Sequence, residues 1–125
     1  MIINNINLIR GYYIHNFKMK ENDKCVIQFR KTKDKDIPEI EVTFINCFKV
    51  EYLKNKMEEL LVEDFALNDF PGMKYIFQLQ KYNLDINDYN HFLLFDKKVE
   101  KTIETGVIKK SIIDIIFKNY KVSYI

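Results

Sequence analysis

The amino-acid sequence predicts an α+β fold: a single domain over residues 1–125, built as a twisted antiparallel β-sheet (a meander) with one amphipathic helix at about 50–64. Three observations lead there. A chain of 125 residues with 47% apolar positions can bury one core and is too short for two. Its composition favours pleated surfaces: 18 isoleucines, 10 phenylalanines and 8 tyrosines stand against a single alanine, Ala66, the residue type with the best helix propensity. The apolar positions recur with period two along much of the chain and change to a helical period after Val50.

Each element follows in order. Tyr13, His15, Phe17 and Met19 alternate on one face of a strand, the polar cluster Glu21-Asn22-Asp23-Lys24 turns the chain, and Cys25 to Arg30 returns as the second arm of a hairpin. Lys31 to Asp36 is a polar connection closed by Pro38. Over 39–49 the alternation is cleanest, with Ile40, Val42, Phe44 and Phe48 on the face expected to pack on the core. Val50, Leu53, Met57, Leu60 and Leu61 then fall within an arc of about 100° on a helical wheel, the stripe of an amphipathic helix. Asp64 would lie on that stripe and marks its end, and Asn68-Asp69-Phe70-Pro71-Gly72 is a stop. Tyr75 to Tyr82 reads as a strand, Asn83 to Asn90 as a loop, His91 to Phe95 as a short buried strand and Val99 to Glu104 as another. Residues 107–118 fit either a helical stripe or a central strand, and their β-branched density favours the strand. Tyr120, Val122 and Tyr124 form a closing strand.

The net charge of +2 hides an uneven distribution. Residues 1–35 carry +5, residues 36–70 carry −6 and residues 71–125 carry +3. Such asymmetry can steer a charged partner. The sequence provides little for catalysis. His15 and His91 are far apart, the two cysteines show no metal-ligand spacing, and no cofactor motif is present. Ser111 and Ser123 lie in no nucleophile elbow, and a Cys25–His15 pair across the hairpin is the one conceivable thiol dyad. None of the three glycines belongs to a phosphate-cradling loop. A non-enzymatic role without cofactor or metal is the expectation. The start, Met1 to Arg10, has no basic n-region and no window of the chain could span a membrane, so a cytoplasmic location with reduced Cys25 and Cys47 is expected.

Like charges at Glu59 and Glu63, four residues apart on the expected helix, cost a few tenths of a kcal/mol unless a cationic partner surface, or neighbouring lysines such as Lys56 on the same side, compensate. A protein partner is therefore expected on Glu58, Glu59 and Glu63, with Asp64 and Asp69 nearby and Tyr52 as an aromatic anchor. A second copy of the chain is another candidate partner, through an edge strand near 120–125. The basic loop with Lys31, Lys33 and Lys35 is the feature a nucleic-acid binder would use, but the pI of about 8.4 and the interspersed Asp34 and Asp36 weaken that footprint.

The order of features carries a resemblance. Gly11-Tyr12-Tyr13-Ile14-His15 opens a hairpin, Phe44-Ile45-Asn46-Cys47-Phe48-Lys49-Val50 forms a hydrophobic strand ending in a turn-like phrase, and Phe117-Lys118-Asn119-Tyr120-Lys121-Val122 closes the chain. The whole resembles small β-rich bacterial immunity proteins, which accompany polymorphic or contact-dependent toxins. That resemblance implies a cytosolic, non-catalytic protein that binds one toxin domain and blocks it.

Overall fold

Strand-forming residues far apart in sequence pair into two antiparallel sheets. The computed structural model describes residues 5–125 apart from Asn22, Lys35, 54–59, 69–78 and 104–105, with the backbone alone at Ile86, 96–103 and 106–110. β1 (Tyr13–Lys20), β2 (Lys24–Arg30), β3 (Ile40–Ile45) and β8 (Asn119–Tyr124) form one sheet in the order β1-β2-β3-β8. β4 (Lys49–Tyr52), β5 (Phe65–Leu67), β6 (Asn90–Ile103) and β7 (Gly106–Phe117) form the other, in the order β4-β7-β6-β5. One apolar core draws on both: Ile27, Phe29, Val42, Phe44 and Val122 from the first sheet meet Phe92, Leu94, Ile113, Ile115 and Phe117 from the second. Phe44 sits at the centre, its ring 5.1 Å from Phe92 and 4.8 Å from Phe117. No helix among the described residues is long and apolar enough to cross a membrane.

The β-rich expectation holds, and so do the hairpin, the strand at 40–45, the closing strand and the strand alternative for 107–118. The expected helix is a correction where its ends are described. Lys49 to Tyr52 pairs with β7, and Leu61 bridges to Tyr13, so both ends of 50–64 are extended; residues 54–59 lie outside the described residues. Val50 and Tyr52 are strand formers, and pairing with a central strand overrides the local period. Where one sheet was expected, the described strands thus form two facing sheets. His91–Phe95 and Val99–Glu104 belong to one long strand, β6. The chain at 79–81 is helical instead of extended, while 75–78 lie outside the described residues.

A β-bulge corrects the face expected for β1. The register steps from Ile14↔Phe29 to Asn16↔Gln28, leaving His15 as the extra residue. Upstream of it Ile14 faces the core, and downstream Phe17 and Met19 share the face of Ile27 and Cys25. Tyr13 and His15 therefore do not share a face with Phe17. Phe48 also leaves the expected face: β3 ends at Ile45, Asn46 turns with φ +54°, and Phe48 packs with Ile116 and Leu79 on the far side of the second sheet.

Candidate functional site

β4 builds one side of the site. Hydrogen bonds from the Phe48 N–H to the Ile116 carbonyl (2.7 Å) and from the Leu53 N–H to the Ile112 carbonyl (2.9 Å) fix it against β7. Alternation then sends Val50 and Tyr52 towards the first sheet, and Lys49 and Glu51 to the outer face with Asp114. A groove of about 420 Å³ opens here, lined by Val50, Glu51, Tyr52, Leu53, Ser111, Ile112 and Asp114. Tyr52 is 42% exposed and Leu53 38% exposed. Tyr52 is nevertheless held in place, with its ring centroid 4.4 Å from that of Phe17 on β1.

Asp114 is the polar centre of the outer face. Its Oδ1 accepts a 2.6 Å hydrogen bond from His91 Nε2, and its Oδ2 accepts one from Lys49 Nζ at 3.1 Å. Because the carboxylate is ionised, it can only accept, which places the shared proton of the first bond on Nε2. Burial opposes ionisation of Asp114, but the hydrogen bonds from His91 and Lys49 outweigh it and hold its carboxyl below the usual carboxylate range. His91 is 7% exposed. Its backbone is fixed by Asn68, which adopts a left-handed conformation (φ +62°). The side-chain oxygen of Asn68 accepts the His91 N–H at 2.7 Å, and the Asn68 N–H donates to the His91 carbonyl at 2.9 Å. Lys49 also lies 3.4 Å from Glu51 at the rim. Among the described residues no group of His, Cys, Asp and Glu has the arrangement of a metal site.

The residues expected to bind a partner are only partly gathered. Glu58, Glu59 and Asp69 lie outside the described residues. Glu63 is exposed, and its carbonyl accepts from Arg10 Nη1, whose guanidinium covers the Phe65 ring at 4.6 Å. Asp64 is half-buried, and its carbonyl accepts the Phe95 N–H at 3.0 Å. Both acids follow Val62, which pairs with Tyr12, whereas Tyr52 stands against Phe17. Five residues of extended chain separate Tyr12 from Phe17, roughly 16 Å, so Tyr52, against the middle of β1, stands well apart from the Glu63–Asp64 pair near its start.

The other candidates separate as well. Cys25 stands opposite Met19, and His15 is four residues back along β1, about 13 Å of strand away. Burial pushes the Cys25 thiol far up, and burial with the neighbouring Asp23 charge pushes Cys47 up to about 11 against a weaker opposing hydrogen bond from the Cys25 backbone. Neither is a ready thiolate nucleophile. His15 lies instead 3.5 Å from Asp36. Lys31 and Lys33 are exposed on the β2–β3 connection with Asp34 and Asp36, while Lys35 lies outside the described residues.

Sequence reasoning missed the His91–Asp114–Lys49 cluster. The one available signal was Asp114 itself, a lone carboxylate inside Ile112-Ile113-Asp114-Ile115-Ile116, since a charge placed in a buried strand must be paired. Comparison with family models, curated proteins and solved structures finds no match for this chain.

Proposed function

We propose that this chain is a non-catalytic partner-binding protein, an immunity protein that binds and neutralises a cognate bacterial toxin domain in the cytoplasm. The observation that carries this reading is Tyr52: an exposed ring braced by Phe17, on the lip of a groove, with Leu53 and the exposed carboxylate of Glu51 beside it. A braced aromatic loses little freedom on binding, and such residues dominate interface energetics. The excess of acid across 36–70 supports a basic face on the partner, with Glu63 and Asp64 steering its approach from beside the start of β1. The non-catalytic part of the reading is supported by the suppressed thiols and by the commitment of Asp114 to both His91 and Lys49.

The test is to tag the protein, express it in its native cells and identify what copurifies. The expected result is a stoichiometric partner encoded beside it, toxic when expressed alone and harmless with this protein. Tyr52→Ala should weaken that complex at least about tenfold, the effect of losing a central aromatic anchor. Undiminished protection by the variant would place the interface elsewhere. Recovery of the protein alone while its neighbours are expressed would overturn the immunity reading.

A further inference from the structure

The groove beside β4 is selective in the chemistry it can take. One side is the run Val50 to Leu53, and the other is Ser111, Ile112 and Asp114 of β7. At about 420 Å³ it has room for a single side chain or a small ligand.

The charged donors beside it are already engaged. Lys49, only 11% exposed, directs its ammonium to Asp114 (3.1 Å) and lies 3.4 Å from Glu51. His91 Nε2 is held on Asp114 Oδ1 at 2.6 Å. Two carboxylates thus share one lysine. The charge left over lies on Glu51, whose side chain is 55% exposed against 16% for Asp114. A carboxylate can accept about four hydrogen bonds, and Lys49 meets Glu51 on one oxygen. The rest of the lining is largely apolar, with Val50, Leu53 and Ile112 beside the Tyr52 ring that Phe17 braces.

These features rank the possible occupants. An anion is repelled by Glu51, and a neutral group gains nothing from it. A lysine ammonium answers the charge but is compact and strongly hydrated, so apolar walls oppose its entry. A guanidinium suits both parts of the groove. It is planar and weakly hydrated, it bonds a carboxylate through two parallel N–H groups, and it lies against aromatic and aliphatic surface.

We infer that the groove receives an arginine side chain of the protein partner, its guanidinium paired with Glu51 and its stem against Leu53 and Tyr52. This rests on the partner-binding reading above and adds the chemistry of the residue that enters. The acid excess across 36–70 gives the surrounding chain the same sign of charge, which favours approach of a basic surface.

The probe is N-acetyl-arginine methylamide, titrated into the isotope-labelled full chain and followed by amide chemical shifts. The citrulline analogue, of the same shape and uncharged, is the control. The arginine probe should shift residues 51–53 and 111–114 and saturate with a dissociation constant on the order of 1–10 mM, as for one side chain detached from its protein. Citrulline should bind at least about tenfold more weakly, and Glu51→Gln should weaken the arginine probe at least about fivefold. Equal shifts from arginine and citrulline, or an affinity that Glu51→Gln leaves unchanged, overturn the inference. So does micromolar binding of the free probe, which would make the groove a site for a free guanidino compound. Copurification from native cells answers separately. A neutralised partner recovered while the arginine probe fails to bind leaves the immunity reading standing and removes this inference. A probe that binds in a chain that has no partner overturns that reading, and with it the occupant named here.

Discussion

The two faces of β7 bury side chains by different physics. Inward, Ile113, Ile115 and Phe117 meet the first sheet as apolar surface, with no directional requirement beyond close packing. Outward, Asp114 is tolerated in the same strand only because His91 and Lys49 deliver donors to both of its oxygens, and Ile116 beside it packs with Leu79 and Phe48. The inner face stabilises in proportion to the area it buries. The outer face stabilises only while every member of its polar cluster is present, because each buried group depends on the others for its hydrogen bonds. The faces should therefore break differently.

The largest expected effect is on the inner face. Phe117 is fully buried against Phe44 and 6.0 Å, edge-on, from Tyr120. Phe117→Ala should lower stability by about 3–5 kcal/mol, measured by urea denaturation. Phe117→Leu should recover most of that, since volume and not polarity is what this face requires. A loss under about 1 kcal/mol for the alanine variant would mean that the two sheets do not share this core.

The outer face should respond to chemistry at constant volume. Asp114→Asn keeps the shape and removes the charge, leaving Lys49 and His91 facing a neutral amide. The expected loss is about 2–3 kcal/mol at pH 7, reduced from that of a fully buried pair because Asp114 keeps some solvent contact. The pH dependence gives the sign. A carboxyl whose folded pKa is depressed contributes stability above its unfolded value, near 4, and loses it as pH falls through that value towards the folded one. The gap between wild type and Asp114→Asn should be full at neutral pH and narrow below about pH 4. A gap that persists unchanged to pH 2 would mean that packing, not ionisation, holds the cluster together.

These same differences set what could be read from the sequence. Alternation located β3 and β8, because on those strands one face is apolar and consecutive residues report it, whereas β2, with Cys25, Val26 and Ile27 buried in a row, was placed by the turn cluster before it. The bulge at His15 was illegible: a single extra residue inverts the phase, and no local letter marks it. The stripe from Val50 to Leu61 gave a helical spacing, yet Val50 and Tyr52 owe their conformation to Ile115 and Ile113, more than sixty positions later. The partner-binding residues suffered from that misreading, since Glu63 and Tyr52 were placed on one element and stand apart along β1. Asp114 was visible as an anomaly, but its partners are 23 and 65 positions away in the chain, and only the folded sheet shows which histidine and which lysine they are.

The smallest expected effect separates stability from binding. Glu51 is exposed and reaches Lys49 at 3.4 Å, but Lys49 already has Asp114 closer, at 3.1 Å. Glu51→Gln removes one charge from the groove without leaving a buried group unpaired. Its cost to stability should stay below about 0.5 kcal/mol, as for exposed ion pairs in general. Any larger loss would mean that Glu51 belongs to the cooperative cluster and that the polar face extends to the rim. If stability is unchanged while association with a basic partner slows, and slows less at high salt, then the rim carboxylate of the groove serves recognition and the His91–Asp114–Lys49 core serves the fold.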